Sequence, residues 1–358
     1  MANTEIEDYR TEHGLCNLPI VPQRIFDSSV NPERVNVILA TGSKWVNGTV
    51  LKYYFFQTTN NGWKGTVAQE QVVRDAFKVW KDIGMGLEFR EVPTPEEADV
   101  RIGFLRGDGS WSYIGRDIWG ISATERTMNF GWNIAANARE IDTAIHEIGH
   151  TLGLHHEHQN PNAGIVWNEE AVYDSLAQPP NSWSRDKTFN NIIRKINPAE
   201  VQGSLWDPNS VMHYPFEAGL IQQPAQYRNG ITPAGGLSNK DREYVKVFYP
   251  LLTGDTYTKI NLLESKPITA LSGEQQDFIF KPKYSKKYKI QTFGNLDTLL
   301  VLFEEATANN PEYLSGDDDS GTGNNTSIKI RLLKNRKYII SVRVLFRGGD
   351  GSGGIVIS

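Results

Sequence analysis

The chain has 358 residues, of which 39% are hydrophobic and 22% are charged, and its formal net charge is −5. This length usually exceeds what one hydrophobic core serves, so we expect two domains in a globular protein. The weak negative charge argues against a dedicated nucleic-acid-binding protein, because such proteins normally carry a basic face.

The first part of the chain mixes helical and strand patterns. Residues 70–82 place apolar side chains at helical spacing, and residues 98–104 alternate apolar and polar positions as a half-buried strand does. Residues 139–152 again predict a helix, and its inward stripe is formed by Ile141, Ala144, Ile145 and Ile148. These patterns favour an α+β fold.

The helical pattern disappears after about residue 251. Short alternating runs follow one another between turn-rich segments, and they read DFIFKP, KYKIQTF, TLLVLFE, SIKIRLL, KYIISVRVLF and GGIVIS. Many short strands at this spacing predict a small all-β sandwich over residues 251–358. The expected linker is LLTGDTY, residues 251–257.

The N-terminus and the cysteine content bear on location. No run approaches the roughly eighteen apolar residues that cross a bilayer, and the polar, acidic N-terminus lacks a signal-peptide pattern. We expect a monomer that is secreted. Its leader would be absent or trimmed, or the protein would leave the cell by a non-classical route. The alternative is a cytoplasmic location. The single cysteine, Cys16, excludes an intrachain disulfide.

The segment HEIGHTLGLHHEH, residues 146–158, predicts a metal site. On a helix, His146 and His150 lie one turn apart on one face, and Gly153 can end the helix so that His156 returns as a third ligand. Three protein ligands leave a fourth position for water, as a catalytic zinc site requires. The competing interpretation is a surface helix that happens to be histidine-rich.

His155 and His158 lack the ligand spacing. We expect each of them to be exposed or to lie beside the metal ligands.

These residues carry a family resemblance. The stretch from His146 to Glu157 resembles the extended zinc signature of the metzincins, and Glu157 after the third histidine resembles the astacin branch. The run Ser210-Val211-Met212-His213-Tyr214 is similar to the astacin Met-turn, and Ser110–Arg116 (SWSYIGR) is similar to the segment before the active-site helix. The resemblance spans roughly residues 35–250. It implies a metzincin catalytic domain over residues 31–250, with a twisted sheet and an active-site helix.

The resemblance also implies roles. One Zn²⁺ would be held by the three histidines, Glu147 would be the general base, Tyr214 would assist the developing oxyanion, and Met212 would underlie the metal. Residues 111–113 would form an edge strand that pairs with a protein or peptide substrate. Taken alone, Met212 could be core filler and Tyr214 a buried ring.

Two features depart from animal astacins. Those enzymes carry disulfides, which this chain cannot form. In them the freed N-terminus reaches the glutamate after the third histidine, whereas here an extension begins at Met1. We therefore expect Glu157 to lie beside the metal site, but we do not assign it the contact with a freed N-terminus.

Cys16 offers a further hypothesis. A thiolate is a strong zinc ligand, and HGLCNLP loosely resembles the segment with which some metzincin zymogens block the metal. Residues 1–30 would then be inhibitory. The alternative is a small buried apolar residue or a spare thiol.

The last hundred residues resemble the bacterial pre-peptidase C-terminal domain through Asn295–Leu300 and Asp317–Ser320. Asp317, Asp318 and Asp319 could bind Ca²⁺, but no glutamate stands at the position that closes an EF-hand loop, so a solvated acidic turn is favoured.

The sequence thus predicts a zinc-dependent endopeptidase. The alternatives are a toxin or effector protease with one narrow target and a zinc-binding module that no longer cuts. The intact Glu147 argues against the last of these.

Overall fold

A computed structural model describes residues 14–19, 43–58, 61–196, 206–251, 257–271, 274–307, 310–318, 320–347 and 352–358. Within these ranges the chain divides into two compact units. The first unit holds residues 14–19, 51–58, 61–84, 89–196 and 206–248, and the second holds residues 43–50, 85–88 and those from 249 onward. Most of the expected segment 1–30 and of the expected linker lies outside the described residues.

A five-stranded sheet is built from strands that lie between residues 50 and 129. Its strands are β1 (Val50–Phe55), β2 (Glu88–Glu91), β3 (Val100–Gly103), β4 (Trp111–Ser112) and β5 (Met128–Asn129). The strand order is β2-β1-β3-β5-β4, and β3 pairs in parallel with both of its neighbours. Strand β4 is antiparallel to β5 and forms one edge of the sheet, as the sequence predicted for an edge strand at residues 111–113.

The prediction of a half-buried strand at residues 98–104 was wrong in one respect. All four residues of β3 are buried, because the strand lies in the middle of the sheet and is covered on both faces. Its polar member, Arg101, is satisfied by donating from its guanidinium to the backbone carbonyls of Ala98, Ile121 and Glu125. A polar residue in the alternating pattern therefore does not mark a solvent face here.

The predicted helices are confirmed. The first unit contains α1 (Val67–Lys81), α2 (Ile141–Thr151), α3 (Glu169–Leu176), α4 (Arg185–Thr188) with a π-helical turn at Phe189–Ile193, and α5 (Asn239–Phe248). Helix α1 begins three residues earlier than its apolar pattern, because Thr66 and Gln69 form a capping box. The Trp80 indole on α1 donates to the carbonyl oxygen of Ile145 at 2.9 Å, which joins α1 to α2.

A short two-stranded ladder includes strands that follow helix α2. It pairs β6 (Val166–Trp167) with β7 (Ile221–Gln223). In the part of the chain that the structure describes, no helix is both long and apolar enough to cross a membrane.

The second unit is built from β-strands, as predicted for the C-terminal region. One sheet has the order β13-β12-β15-β10-β8 and the other has the order β14-β11-β16-β9. The strands are β8 (Thr258–Lys259), β9 (Ser265–Pro267), β10 (Gln275–Phe280), β11 (Lys286–Gly294), β12 (Leu296–Thr307), β13 (Asn310–Asp318), β14 (Ser327–Leu332), β15 (Tyr338–Arg347) and β16 (Gly353–Ile357). Buried side chains of both sheets form one apolar cluster. The fold class is therefore α+β followed by an all-β unit.

Strand β13 was missed, because its acidic and glycine-containing sequence reads as a turn. The Asp317 carboxylate at its end accepts from the backbone N–H groups of Ser320 and Ser327, at 3.3 and 2.7 Å. Asp319 lies outside the described residues, and the favoured interpretation of residues 317–319 as a solvated acidic turn stays a prediction.

Candidate metal centre and active site

Helix α2 carries two of the predicted zinc ligands on one face. His146 and His150 are buried, and their ring centroids lie 4.7 Å apart. After the helix, Gly153 adopts a φ of 91°, a left-handed conformation that costs glycine little. The chain turns back at this point, so the ring centroid of His156 lies 4.6 Å from that of His150.

The three imidazoles present their Nε2 atoms to one point. The Nε2 of His150 lies 3.1 Å from that of His146 and 3.1 Å from that of His156. Two ligands of a tetrahedral zinc ion with bonds of about 2.0 Å lie about 3.3 Å apart, so this spacing fits zinc. The chemistry fits as well, because imidazole nitrogen is a common zinc ligand.

Backbone carbonyls orient two of the rings. His146 donates from Nδ1 to the carbonyl oxygen of Val211, and His150 donates from Nδ1 to that of Leu154, each at 2.8 Å. Because a carbonyl can only accept, Nδ1 carries the proton and Nε2 keeps its lone pair for a metal. Burial lowers the pKa of His146 to about 4, which favours the neutral ring that binds metal.

Cys16 completes this cluster. Its Sγ atom and one nitrogen from each of the three histidines all lie within 4.8 Å of one another, and all four residues are buried. Imidazole nitrogen and thiolate sulfur are both ligands that zinc binds in proteins. The structure therefore brings the possible blocking cysteine to the position where a fourth ligand would stand.

Glu147 lies against the same sulfur. The Cys16 thiol donates to Glu147 Oε2 at 3.5 Å, and the carboxyl group is almost completely buried. Burial raises the pKa of Glu147 to about 8, and burial followed by the nearby carboxylate raises the pKa of the thiol. Without a metal, the thiol and the carboxyl both favour their protonated forms.

Four hydrogen bonds fix the backbone around Cys16. Leu15 N–H donates to Asn181 Oδ1 at 2.7 Å, and Leu18 N–H donates to Asn191 Oδ1 at 3.3 Å. Asn17 N–H donates to the carbonyl oxygen of Ser110 at 3.2 Å, next to the edge strand β4.

The fourth bond comes from Tyr214. Its hydroxyl donates to the carbonyl oxygen of Cys16 at 2.8 Å, and the same hydroxyl oxygen lies 2.5 Å from His156 Nε2. Tyr214 is buried. Its hydroxyl group therefore contacts both the histidine cluster and the backbone of the Cys16 segment.

Met212 lies under the histidine helix. The side chain is buried, and a Cβ added to Gly149 on α2 would come within 2.4 Å of its sulfur. The methionine therefore packs directly against the backbone of the helix between the two histidines, and Gly149 is the residue that permits this approach.

Asp241 connects α5 to the Met-turn, residues 210–214. Its carboxylate accepts from Ser210 Oγ at 2.7 Å, from Val211 N–H at 2.9 Å and from Ser238 N–H at 2.9 Å. Val211 in turn offers its carbonyl oxygen to His146. The role of Asp241 was not predicted from the sequence, although Ser238 and Asp241 have the spacing of a helix capping box, which could have indicated it.

Glu157 binds backbone and side-chain amides. Its Oε1 accepts from Asp207 N–H at 2.8 Å and from Asn160 Nδ2 at 3.2 Å. Burial raises the pKa of this carboxyl to about 7. In this structure Glu157 thus ties the chain before the Met-turn to the segment after the third histidine.

His155 and His158 stand outside the group of ligand atoms. His158 is buried, not exposed, and its Nε2 donates to the carbonyl oxygen of Asn191 at 2.9 Å, while its ring lies beside those of His156 and Tyr214. His155 is half-buried. Neither joins the cluster, in agreement with their spacing.

A cavity of about 1440 Å³ opens beside the cluster. His146, Glu147 and Tyr214 contribute to its wall, and most of the rest comes from residues 175–181 and 215–235. This volume exceeds the ~300–1,000 Å³ of ordinary small-molecule pockets.

Comparisons with known proteins find several that are similar to this chain. Karilysin of Tannerella forsythia is 28% identical over 224 residues, which cover 53% of this chain and 46% of karilysin. Zinc metalloproteinase nas-36 of Haemonchus contortus is 26% identical over 184 residues, which cover 51% of this chain and 26% of that protein. The chain therefore spans less than half the length of these curated relatives.

A solved structure of myroilysin is also similar. It is 30% identical, has a TM-score of 0.54, and the match covers 60% of this chain and 98% of that one. The likeness of the C-terminal unit to pre-peptidase C-terminal domains stays a prediction.

The family model of the astacin peptidases matches residues 38–223. This range is more than half of the chain, and it contains the three converging histidines, Glu147 and the Met-turn. The family implies zinc as the metal of the site. The astacin resemblance of the sequence is thereby confirmed, and the chain belongs to the astacin family of peptidases.

Proposed function

We propose that the protein is a zinc-dependent endopeptidase that hydrolyses peptide bonds in proteins. The observation that carries this proposal is the convergence of three Nε2 atoms beside the buried carboxyl group of Glu147, in a chain of the astacin family. The cavity beside these groups leaves room for a substrate.

His146, His150 and His156 would hold the metal. When bound, zinc supplies Lewis-acid polarisation of a carbonyl group and lowers the pKa of a coordinated water. Val211 and Leu154 keep two of the rings in the required tautomer through their carbonyl oxygens.

Glu147 is proposed as the general base. It lies one residue after the first ligand and reaches the same side of the cluster as the Cys16 sulfur. A carboxylate there can take a proton from the attacking water and return it to the departing amine. The Tyr214 hydroxyl, already at the cluster, would donate a hydrogen bond to the developing oxyanion.

Substrate would bind along strand β4. Ser110, next to that edge strand, already accepts a backbone hydrogen bond from Asn17. An extended substrate that replaces the Cys16 segment could pair with the same carbonyl oxygen, as peptides do at exposed sheet edges.

We further propose that the described form is latent. The Cys16 sulfur stands among the ligand atoms and against Glu147, so it would exclude both the water and the substrate. The backbone of the segment is held by Asn181, Asn191 and Tyr214. Residues 14–19 would therefore act as an internal inhibitor that must leave before turnover.

Two alternatives remain as outcomes of the test. A protease with one narrow target would leave general substrates intact and still need Glu147, whereas a zinc-binding module would cleave nothing. Secretion is our proposal for the location, with the cytoplasm as the alternative.

The test is hydrolysis of fluorescence-quenched casein by the zinc-loaded full chain before and after removal of the N-terminal segment by limited proteolysis. Hydrolysis after removal supports a latent endopeptidase. Failure to cut casein or a mixture of unfolded proteins, with zinc bound and the segment removed, would count against general endopeptidase activity.

A further inference from the structure

The C-terminal unit carries a local excess of positive charge that the net charge of −5 conceals. Residues 281–289 contain five lysines, and residues 329–337 contain three lysines and two arginines. Neither segment contains an acidic residue. These two segments together are called the basic corner below.

The two segments are neighbours in the fold. Strand β11 pairs antiparallel with β14, which sets Lys287 opposite Arg331 and Lys289 opposite Lys329. All four point away from the core, because the alternate residues, such as Tyr288 on β11, are buried. Like charges directly opposite each other on a sheet destabilise it, so the sheet gains no stability from this arrangement.

Few of these cations are neutralised. Arg336 pairs with Glu304, and Lys337 pairs with Glu305. The other eight take part in no ion pair with any described residue. Seven of these eight are exposed and Lys289 is half-buried, so their charges face solvent.

Two turns join at one end of this surface. Lys334 N–H donates to Ser285 Oγ at 2.8 Å, and Asn335 N–H donates to the carbonyl oxygen of Pro282 at 2.9 Å. These turns carry two apolar side chains among the lysines, namely Tyr284, which is 67% exposed, and Leu333, which is 38% exposed. The turns form the tip of the basic corner.

We propose that the basic corner docks the protein on an anionic phospholipid surface. Lysine outnumbers arginine eight to two in these segments, and lysine acts as a point charge, whereas arginine reads phosphate or sulfate groups bidentately. A diffuse negative surface fits this composition better than an ordered anion does. Tyrosine and leucine at the tip fit the interfacial region of a bilayer, where amphipathic and apolar side chains insert below the headgroups.

The experiment is flotation of the full chain with vesicles. We expect binding to phosphatidylcholine vesicles that contain roughly one third phosphatidylglycerol and none to pure phosphatidylcholine, since each lysine near an anionic surface contributes about 1 kcal/mol. Binding should weaken as salt rises from about 0.1 M to about 0.5 M. Lys287→Glu with Lys329→Glu should weaken it roughly thirtyfold or more.

The matched control is Lys246→Glu with Lys259→Glu, which makes the same change in net charge at two exposed lysines outside the basic corner. The control should bind as the unmodified chain does. Tyr284→Ser with Leu333→Ser should reduce the binding that persists at high salt.

Three results would overturn the proposal. One is equal binding to neutral vesicles, and another is unchanged binding after the charge reversal. The third is tight binding of single-stranded DNA or a sulfated polysaccharide through Lys287 and Lys329 without binding to vesicles, which would identify a different partner.

Discussion

The thiol of Cys16 donates a hydrogen bond to Glu147, so the proposed blocking group and the proposed general base touch each other. The same cysteine offers its carbonyl oxygen to Tyr214, the proposed oxyanion donor. One residue therefore contacts both groups that would act on substrate, and it also stands among the metal ligands. Latency in this protein would therefore result from direct contact between Cys16 and the proposed catalytic groups.

Replacing Cys16 by serine should activate the full chain. Serine keeps the size but is a poor zinc ligand, so the segment loses its strongest proposed attachment while its backbone bonds remain. We expect casein hydrolysis to rise at least about tenfold, because a lost ligand of this kind is worth more than about 1.4 kcal/mol. Unchanged rates in Cys16→Ser, at equal zinc content, would dismiss the sulfur as the block.

Asn181 should contribute to holding the inhibitory segment. Asn181→Ala removes the acceptor of Leu15 N–H, and one such bond is worth about 1 kcal/mol, or roughly a fivefold shift toward release. The readout is the rate at which the Cys16 thiol reacts with Ellman's reagent in metal-free protein, which does not depend on activity. Asn261→Ala, at an exposed site in the second unit, is the control. Equal reaction rates for all three proteins would contradict the role of Asn181.

Asp241 should act on zinc affinity through His146, although it touches no proposed ligand. Its carboxylate holds Val211, and the carbonyl oxygen of Val211 orients the imidazole. Direct partners of ligating histidines change metal affinity by about 10–100-fold. Because Asp241 acts one contact beyond such a partner, Asp241→Asn should weaken zinc binding by roughly tenfold, the low end of that range.

The measurement for Asp241 is competition for zinc with a chelator of known affinity. Asp75→Asn, on an exposed position of α1, serves as the control. Because Asp241 also caps α5, the variant must first show a native unfolding transition. A folded Asp241→Asn protein with unchanged zinc affinity would refute the positioning role.

Much of the site could be predicted from the sequence because the proposed metal ligands lie close together along the chain. The spacing of His146 and His150 on one helix, and the glycine at 153 that returns His156, are short-range features. The helical and strand patterns likewise followed side-chain periodicity.

Other features depended on long-range contacts. Asn181 and Asn191 reach the Cys16 segment across more than 160 residues, and no local pattern marks them. The full burial of β3 followed from its central place in the sheet, which alternation alone does not reveal. Strand β13 was not predicted because its polar sequence has a low intrinsic preference for a strand. It forms a strand through its pairing with β12.

Gly149 should tolerate no side chain. A Cβ there would approach the Met212 sulfur to 2.4 Å, so Gly149→Ala should lower the free energy of unfolding by about 1–3 kcal/mol. Gly120→Ala is the control, because nothing lies within 4 Å of its added Cβ. Urea unfolding measures both, and Gly149→Ala should cost less in a Met212→Ala background, where the sulfur is absent. Equal stability of the two alanine variants would show that the contact is relieved without cost.

The most direct test of the central claim compares Cys16→Ser with the double variant Cys16→Ser/Glu147→Ala, both loaded with one zinc ion, in hydrolysis of quenched casein. We expect hydrolysis by the first protein and a loss of roughly a thousandfold in the second, with zinc content unchanged, because general-base catalysis contributes about 10²–10⁴-fold. Comparable hydrolysis by both proteins would contradict the assignment of Glu147 as the base and, with it, the proposed mechanism.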